Sequence, residues 1–180
     1  MAPSKKTIEN LKVIIDANVL FRGSLHPRFA FEILNHALKG DFKLFLIPYT
    51  IEEAIRNIAK RYPDRLPYLE LFLTRCSYKL LKDPPKYELE NHINLIRDHK
   101  DLPLAVAATK NKLDYLVSND KDFTATDDTT KKIKKKITCL TAGNFLKEIM
   151  GWTSENLEKI QRRKWEELEQ ENYQLWGVDF

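Results

Sequence analysis

Four carboxylates stand where short apolar runs end or helices begin. Asp16 closes Val13-Ile14-Ile15, and Asp120 follows Leu116-Val117-Ser118-Asn119. Glu53 lies in the first turns of a helix opened by Pro48, and Asp101 immediately precedes Leu102-Pro103. In an open parallel sheet, sites form outside the carboxyl ends of the strands. Each crossover also returns a helix start to the rim that the preceding strand leaves, so the four acids are expected on one rim. Two unit charges ~4 Å apart repel by ~4 kcal/mol at an effective dielectric of 20. Helix N-termini return at most about 1 kcal/mol each, so a divalent cation is the missing charge. Oxygen donors without Cys or His pairs point to Mg²⁺ or Mn²⁺ rather than zinc. A hard ion held by acids suits phosphodiester hydrolysis, in which it activates water and stabilises developing charge. Asp122 could complete a second metal position, and Lys121 and Arg56 are candidate phosphate contacts.

Each acid also has a plainer use. Asp16 can simply end a strand, Asp101 can cap its helix, Glu53 can favour a helix dipole, and Asp120 and Asp122 can form a turn. Glu52 offers the chemistry of Glu53 one position earlier. Glu53 is preferred because it lies opposite the Ile51/Ile55 apolar face and one turn before Asn57.

Other chemistries are excluded by what is missing. The five glycines, at 23, 40, 143, 151 and 177, never cluster. A dinucleotide turn and a Walker A loop both need such clustering so that backbone can approach phosphates. GxSxG, HExxH and CxxC are absent, and Cys76 and Cys139 are too far apart in the chain for a metal or redox motif. No apolar run approaches the ~18–20 residues of a membrane span. The first residues lack a signal-peptide stretch, so a soluble cytoplasmic protein is expected.

The elements that must position the acids alternate between strand and helix. Strands are expected over 12–16, 43–47, 114–118 and 137–140, each a short run rich in β-branched or aromatic residues. Helices are expected over 27–39, 48–61, 66–80, 87–97, 102–112 and 141–150. Strands separated by helices imply an α/β fold, a parallel sheet covered on both faces. One further helix, Thr153 to Trp176, has a narrow apolar stripe and should dock on the body or on another chain, with Trp165 and Trp176 as packing anchors. The chain thus divides into a body, 1–150, and a helical extension, 151–180.

The 180 residues carry a formal charge of +4 that hides an asymmetry. Residues 1–150 hold 26 basic and 19 acidic side chains, and 151–180 hold 4 and 7. A basic body suits a polyanionic partner. The densest basic stretch, Lys131 to Lys136, reads as a solvated loop edge.

Several stretches together resemble the PIN domain: Ile15-Asp16-Ala17-Asn18-Val19-Leu20, Ile51-Glu52-Glu53-Ala54-Ile55, Asp98-His99-Lys100-Asp101-Leu102-Pro103 and Leu116-Val117-Ser118-Asn119-Asp120-Lys121-Asp122-Phe123. Ile137 to Ala142 with Phe145-Leu146 is similar to that family's last strand and helix. The resemblance covers roughly residues 10–150. It implies a three-layer α/β/α sandwich around a parallel sheet and a Mg²⁺- or Mn²⁺-dependent ribonuclease. It further implies an acidic site of Asp16, Glu53, Asp101 and Asp120, with Asp122 as an extra acid and Asn18 and Ser118 as polar companions. Many relatives are toxins of the VapC type, held by a small antitoxin and often dimeric. This chain departs in its longer helical middle, its lysine-rich insertion, its terminal extension, and Asn119 where glycine is common.

Two other readings compete. A PIN fold could bind RNA or a protein without cutting, although four intact acids argue against it. A haloacid-dehalogenase-type phosphotransferase also opens on a strand ending in Asp, but it needs a second Asp where this chain has Asn18.

Overall fold

Val13, Ile14 and Ile15 are β-branched and have no polar group to offer solvent, and all three are fully buried. They form β1 (Lys12–Ile15), the central strand of the sheet, in a computed structural model that describes residues 7–178. Period-two alternation sends Val13 and Ile15 to one face and Ile14 to the other. The chain continues through α1 (Ala17–Leu25), α2 (Phe29–Lys39), β2 (Lys43–Leu46), α3 (Pro48–Arg61), α4 (Leu66–Arg75), β3 (Tyr78–Leu80), α5 (Lys86–Asn91) and α6 (Leu102–Lys110). It then forms β4 (Tyr115–Val117), α7 (Lys121–Thr124), α8 (Lys131–Lys134), β5 (Thr138–Leu140), α9 (Ala142–Glu148), α10 (Ser154–Ile160) and α11 (Gln170–Trp176).

The sheet is parallel throughout, in the order β3-β2-β1-β4-β5. Ile14 lies between Phe45 of β2 and Leu116 of β4. The chain builds outward on one side of β1 and then crosses to the other. The carboxyl ends of β1 and β4 therefore flank the point where strand order reverses, which is where such sheets open a crevice. One face is covered by α1, α2, α3, α4 and α9 around Phe31, Leu34, Ile58 and Phe72. The other is covered chiefly by α6, where seven of nine residues are buried, together with Leu95, Ile96, Phe123 and Ile133. This is the three-layer sandwich.

Several expectations change, three of them in the middle of the body. The helix expected over 66–80 stops at Arg75, and Tyr78–Leu80 is the edge strand β3, paired with β2. Leu69, Phe72, Cys76 and Leu80 keep a helical spacing across that break, so periodicity alone does not reveal it. The helix expected over 87–97 is confined to Lys86–Asn91, and Leu95 and Ile96 are buried from irregular backbone. The lysine-rich stretch contains α8, pinned by the fully buried Ile133.

The extension is not one helix. It breaks into α10, a 3₁₀ turn at Trp165–Glu167, and α11. No single helical face carries Ile160, Trp165, Leu168 and Trp176, and the breaks let each turn inward onto the apolar core of the body. All three tryptophans are found here, and each indole N–H finds an acceptor in the body. Trp152 donates to His36 Nε2 (2.9 Å), Trp165 to the Leu25 carbonyl (3.2 Å), and Trp176 to Asn35 Oδ1 (2.7 Å). Trp176 is 1% exposed and stacks on Phe31 at 5.3 Å between ring centres. The Arg163 guanidinium pairs with the buried Glu32 and donates to the Pro27 carbonyl. No described helix is long and apolar enough to cross a membrane.

Candidate active site

Asp16 takes the N-cap position of α1 directly off the end of β1, and its backbone N–H donates to the Val117 carbonyl across the sheet. That bond sets the end of β1 beside the end of β4. Ser118 follows β4 and is fully buried. Its hydroxyl donates to Asp16 Oδ2 at 2.6 Å and accepts from the Asp120 backbone N–H at 3.0 Å. One serine thus ties together the acids of the two strand ends. Asn18 reaches the same point from α1: its amide donates to Asp16 Oδ2 (3.0 Å), and its Oδ1 accepts from the Asn119 N–H (3.3 Å). Asn119, which stands where glycine is common, uses its own side-chain oxygen to accept the Ala142 N–H at the start of α9.

A cavity of about 260 Å³ opens over this corner, lined by Asp16, Ala17, Asn18, Phe21, Arg22, Glu53, Asn57, Arg61, Asp101 and Asp120. Larger hollows lie elsewhere, notably one of about 530 Å³ along the extension. Only the smaller one gathers the acids at the strand ends. Of the adjacent pair, Glu53 lines the cavity while Glu52 is exposed. Asp122 lies outside it, 7% exposed, behind the turn that Asp120 caps by accepting the Asp122 N–H. Lys121 is exposed and off the cavity wall. Arg56 is also exposed, though its charge acts on Glu53.

Asp101 links two groups of acids. It shares the cavity with Asp16, Glu53 and Asp120, and its carboxylate also comes within 4.8 Å of those of Asp98 and Asp122. Among the described residues, this last trio is the one set of three or more potential ligands whose atoms close to that distance. Asp16, Glu53 and Asp120 share the cavity with Asp101 without forming such a set. Asp98 was not anticipated from the sequence, nor was Arg97, whose guanidinium lies 2.5 Å from Asp122 Oδ1. Arg22, Asn57 and Arg61 were missed as well. Arg22 could have been found as one helical turn beyond Asn18, had α1 been recognised, and Arg61 as two turns beyond Glu53.

Crowding shows in the proton affinities. The Asp16 carboxyl is raised to about 6, chiefly by burial with Glu53 and Asp120 adding to it, against the Ser118 hydroxyl and the Ala17 N–H, which pull it down. Asp101 is raised to about 8, first by burial and then by Asp16, Asp120, Asp98 and Asp122. Burial also raises Glu53, against the charges of Arg56 and Lys100. Asp101 occupies the N-cap position of α6 without making a side-chain cap bond, and its buried Oδ2 has no hydrogen-bond partner. A helix-capping role therefore does not account for it. A buried, unpartnered carboxylate oxygen among other carboxylates, with oxygen as the only donor type, fits a hard divalent cation.

The fold agrees with known structures. PAE2754 of Pyrobaculum aerophilum superposes with a TM-score of 0.56 at 16% identity, over 82% of this chain and all of that one. VapBC2 of Rickettsia felis, solved bound to a DNA fragment from its promoter, gives 0.51 at 17% identity, over 72% of this chain and 97% of that one. No curated protein matches the chain by sequence. A family model described as the PIN domain does match, over residues 12–122, from the first residue of β1 to the acid behind Asp120. The chain belongs to the PIN-domain family.

Proposed function

We propose that this PIN-domain protein is a Mg²⁺- or Mn²⁺-dependent endoribonuclease of the cytoplasm. The observation that carries the proposal is the meeting of Asp16, Glu53, Asp101 and Asp120 in one cavity at the strand-order reversal, with a buried Asp101 oxygen left unpartnered. Asp16, Asp101 and Asp120 would hold the ion directly or through water. When bound, the ion supplies Lewis acidity and a water of lowered pKa. Ser118 and Asn18 fix the Asp16 carboxylate, and Ser118 also fixes the Asp120 backbone, so neither acid has to reorganise as charge develops. Glu53 faces them from α3 and would orient the ion or the attacking water. Asp98 and Asp122 would serve a second ion only after the Arg97 guanidinium leaves Asp122. Arg56 and Lys121, both exposed beside the acids, are proposed as outlying phosphate contacts.

The test is cleavage of a fluorescent single-stranded RNA with Mn²⁺ by the full chain and by Asp16→Asn and Asp120→Asn. Loss of at least ~10²-fold in rate by folded variants is expected, the scale on which removing a charge-stabilising group acts. Unchanged cleavage would overturn the assignment of the site. No cleavage by any form, with no Mn²⁺ binding by calorimetry, would favour a non-catalytic binding module.

The narrower form of the proposal is a toxin held by an antitoxin, acting as a homodimer. It draws support from the structural likeness to VapBC2. A small upstream reading frame whose product copurifies and blocks cleavage is the expected finding. Light scattering that gives the mass of one chain would refute the dimer.

A further inference from the structure

Two arginines stand at the mouth of an acidic cavity without pairing to its acids. Arg22 and Arg61 both line it and are exposed, and among the described residues neither has an ion-pair partner. Cations placed beside carboxylates yet left unpaired remain available to an anion that bridges the site to its surroundings. Beyond them the wall becomes aromatic. Phe21, on the cavity wall, meets Tyr62 edge-on at 6.1 Å between ring centres, and Tyr62 is 49% exposed. Basic charge continues past Tyr62, whose carbonyl accepts the Arg65 N–H at 2.8 Å. His26, one turn after Arg22 at the C-terminal cap of α1, lies within reach of the charges of Arg28, Arg22 and Arg65. Arg65 is held in place by stacking over Tyr68 (4.9 Å) and Trp165 (4.4 Å), neither of which neutralises it. The one acid on that turn, Asp64, is exposed and removes a single charge.

We propose that the surface running from Arg22 and Arg61 over Tyr62 to Arg65 is a track for single-stranded RNA. The two arginines hold the phosphates nearest the acids, and Tyr62 stacks an unpaired base. The ligand class rests on the nuclease reading, but the geometry of the track does not. Alternating cationic and aromatic side chains suit a single strand, because stacking needs a base face that a duplex keeps covered. The extension takes part through Trp165, which places Arg65 at the end of the track.

The experiment measures binding without cleavage. Fluorescence anisotropy of a labelled single-stranded RNA of mixed sequence is followed in EDTA with the full-length Asp120→Asn protein as parent. Tyr62→Ala should weaken binding at least ~5-fold, the lower end of base–aromatic stacking, and Tyr62→Trp should restore it. Arg22→Ala with Arg61→Ala should reduce the slope of log affinity on log salt by about 1.4, at ~0.7 per single-strand phosphate. Lys131→Ala with Lys132→Ala should change neither quantity. Parental affinity in the Tyr62 and arginine variants, or competition by duplex RNA as effective as by single strand, would overturn the track. Track variants that lose binding while no form cleaves would leave the track standing and sink only the nuclease reading. Cleaving wild-type protein with unaffected track variants would do the reverse.

Discussion

Asp101 begins α6, where a carboxylate ordinarily accepts a backbone N–H, yet it makes no such bond and is raised to about 8 by burial and four other acids. Its proton affinity is higher folded than unfolded, so between about pH 4 and pH 8 the folded chain holds a proton that the unfolded chain has released. Stability from this group must therefore fall as pH rises through that window. Asp16, raised to about 6, adds to the fall at its acidic end. In EDTA, thermal melts should drop between pH 5 and pH 8, and Asp101→Asn should melt higher than wild type at pH 8. Discounted for partial solvent screening, the gain is on the order of 1–3 kcal/mol. A flat or rising wild-type curve would show that the acids are not crowded. Mn²⁺ should stabilise wild type more at pH 8 than at pH 5, where it competes with protons. Arg97→Met frees Asp122 and should tighten Mn²⁺ severalfold by calorimetry; unchanged affinity would mean that the guanidinium does not compete. At this scale much was legible in the sequence, because Asp16 and Asp120 end apolar runs that have to be strands. Asp98, Arg22 and Arg61 were not, since their convergence depends on which way a loop and two helices turn, and hydrophobic spacing does not encode that.

Helix α1 shows how an element can hide. Gly23 lowers helix propensity by about 1 kcal/mol relative to alanine, and the stretch between Asp16 and Pro27 has no clear period. The structure gives the reason for that glycine. A Cβ at position 23 would sit 2.6 Å from Leu34 Cδ1 and 3.1 Å from the Ala30 carbonyl oxygen of α2. Gly23→Ala should therefore overpack the α1–α2 contact and cost about 1–3 kcal/mol. That is a fall of several degrees in melting temperature, with weaker metal binding because α1 carries Asn18, which fixes the Asp16 carboxylate. A variant that melts at or above wild type would show that Leu34 can move aside. Strand β3 was hidden for the opposite reason: its residues extend a regular helical spacing that begins in α4. Short edge strands carry too few buried side chains to outvote a neighbouring helix.

At the scale of the whole chain, the basic body and acidic extension fit together through specific contacts rather than bulk charge. Glu32 and Asn35 of α2 are buried, and Arg163, Asn172 and Trp176 satisfy them. A division at residue 150 remains a proposal about folding units. With Ile160, Leu168 and Trp176 in the same apolar cluster as β1, the expected result is one shared unfolding transition. Trp176→Ala should cost about 3–5 kcal/mol, as for other buried large rings, and lower the single melt. A separate early transition with the main melt unchanged would establish two units. The docking of this region was legible from its poor amphipathicity, but its fracture into short helices was not, because the target face on α2 exists only once the body has folded. One consequence is genetic. A premature stop codon between Met150 and Arg163 would not trim a dispensable fringe. It would strip the cover from Phe31 and strand Glu32 without its counter-ion, leaving a product marked for degradation although every acid of the cavity is still encoded.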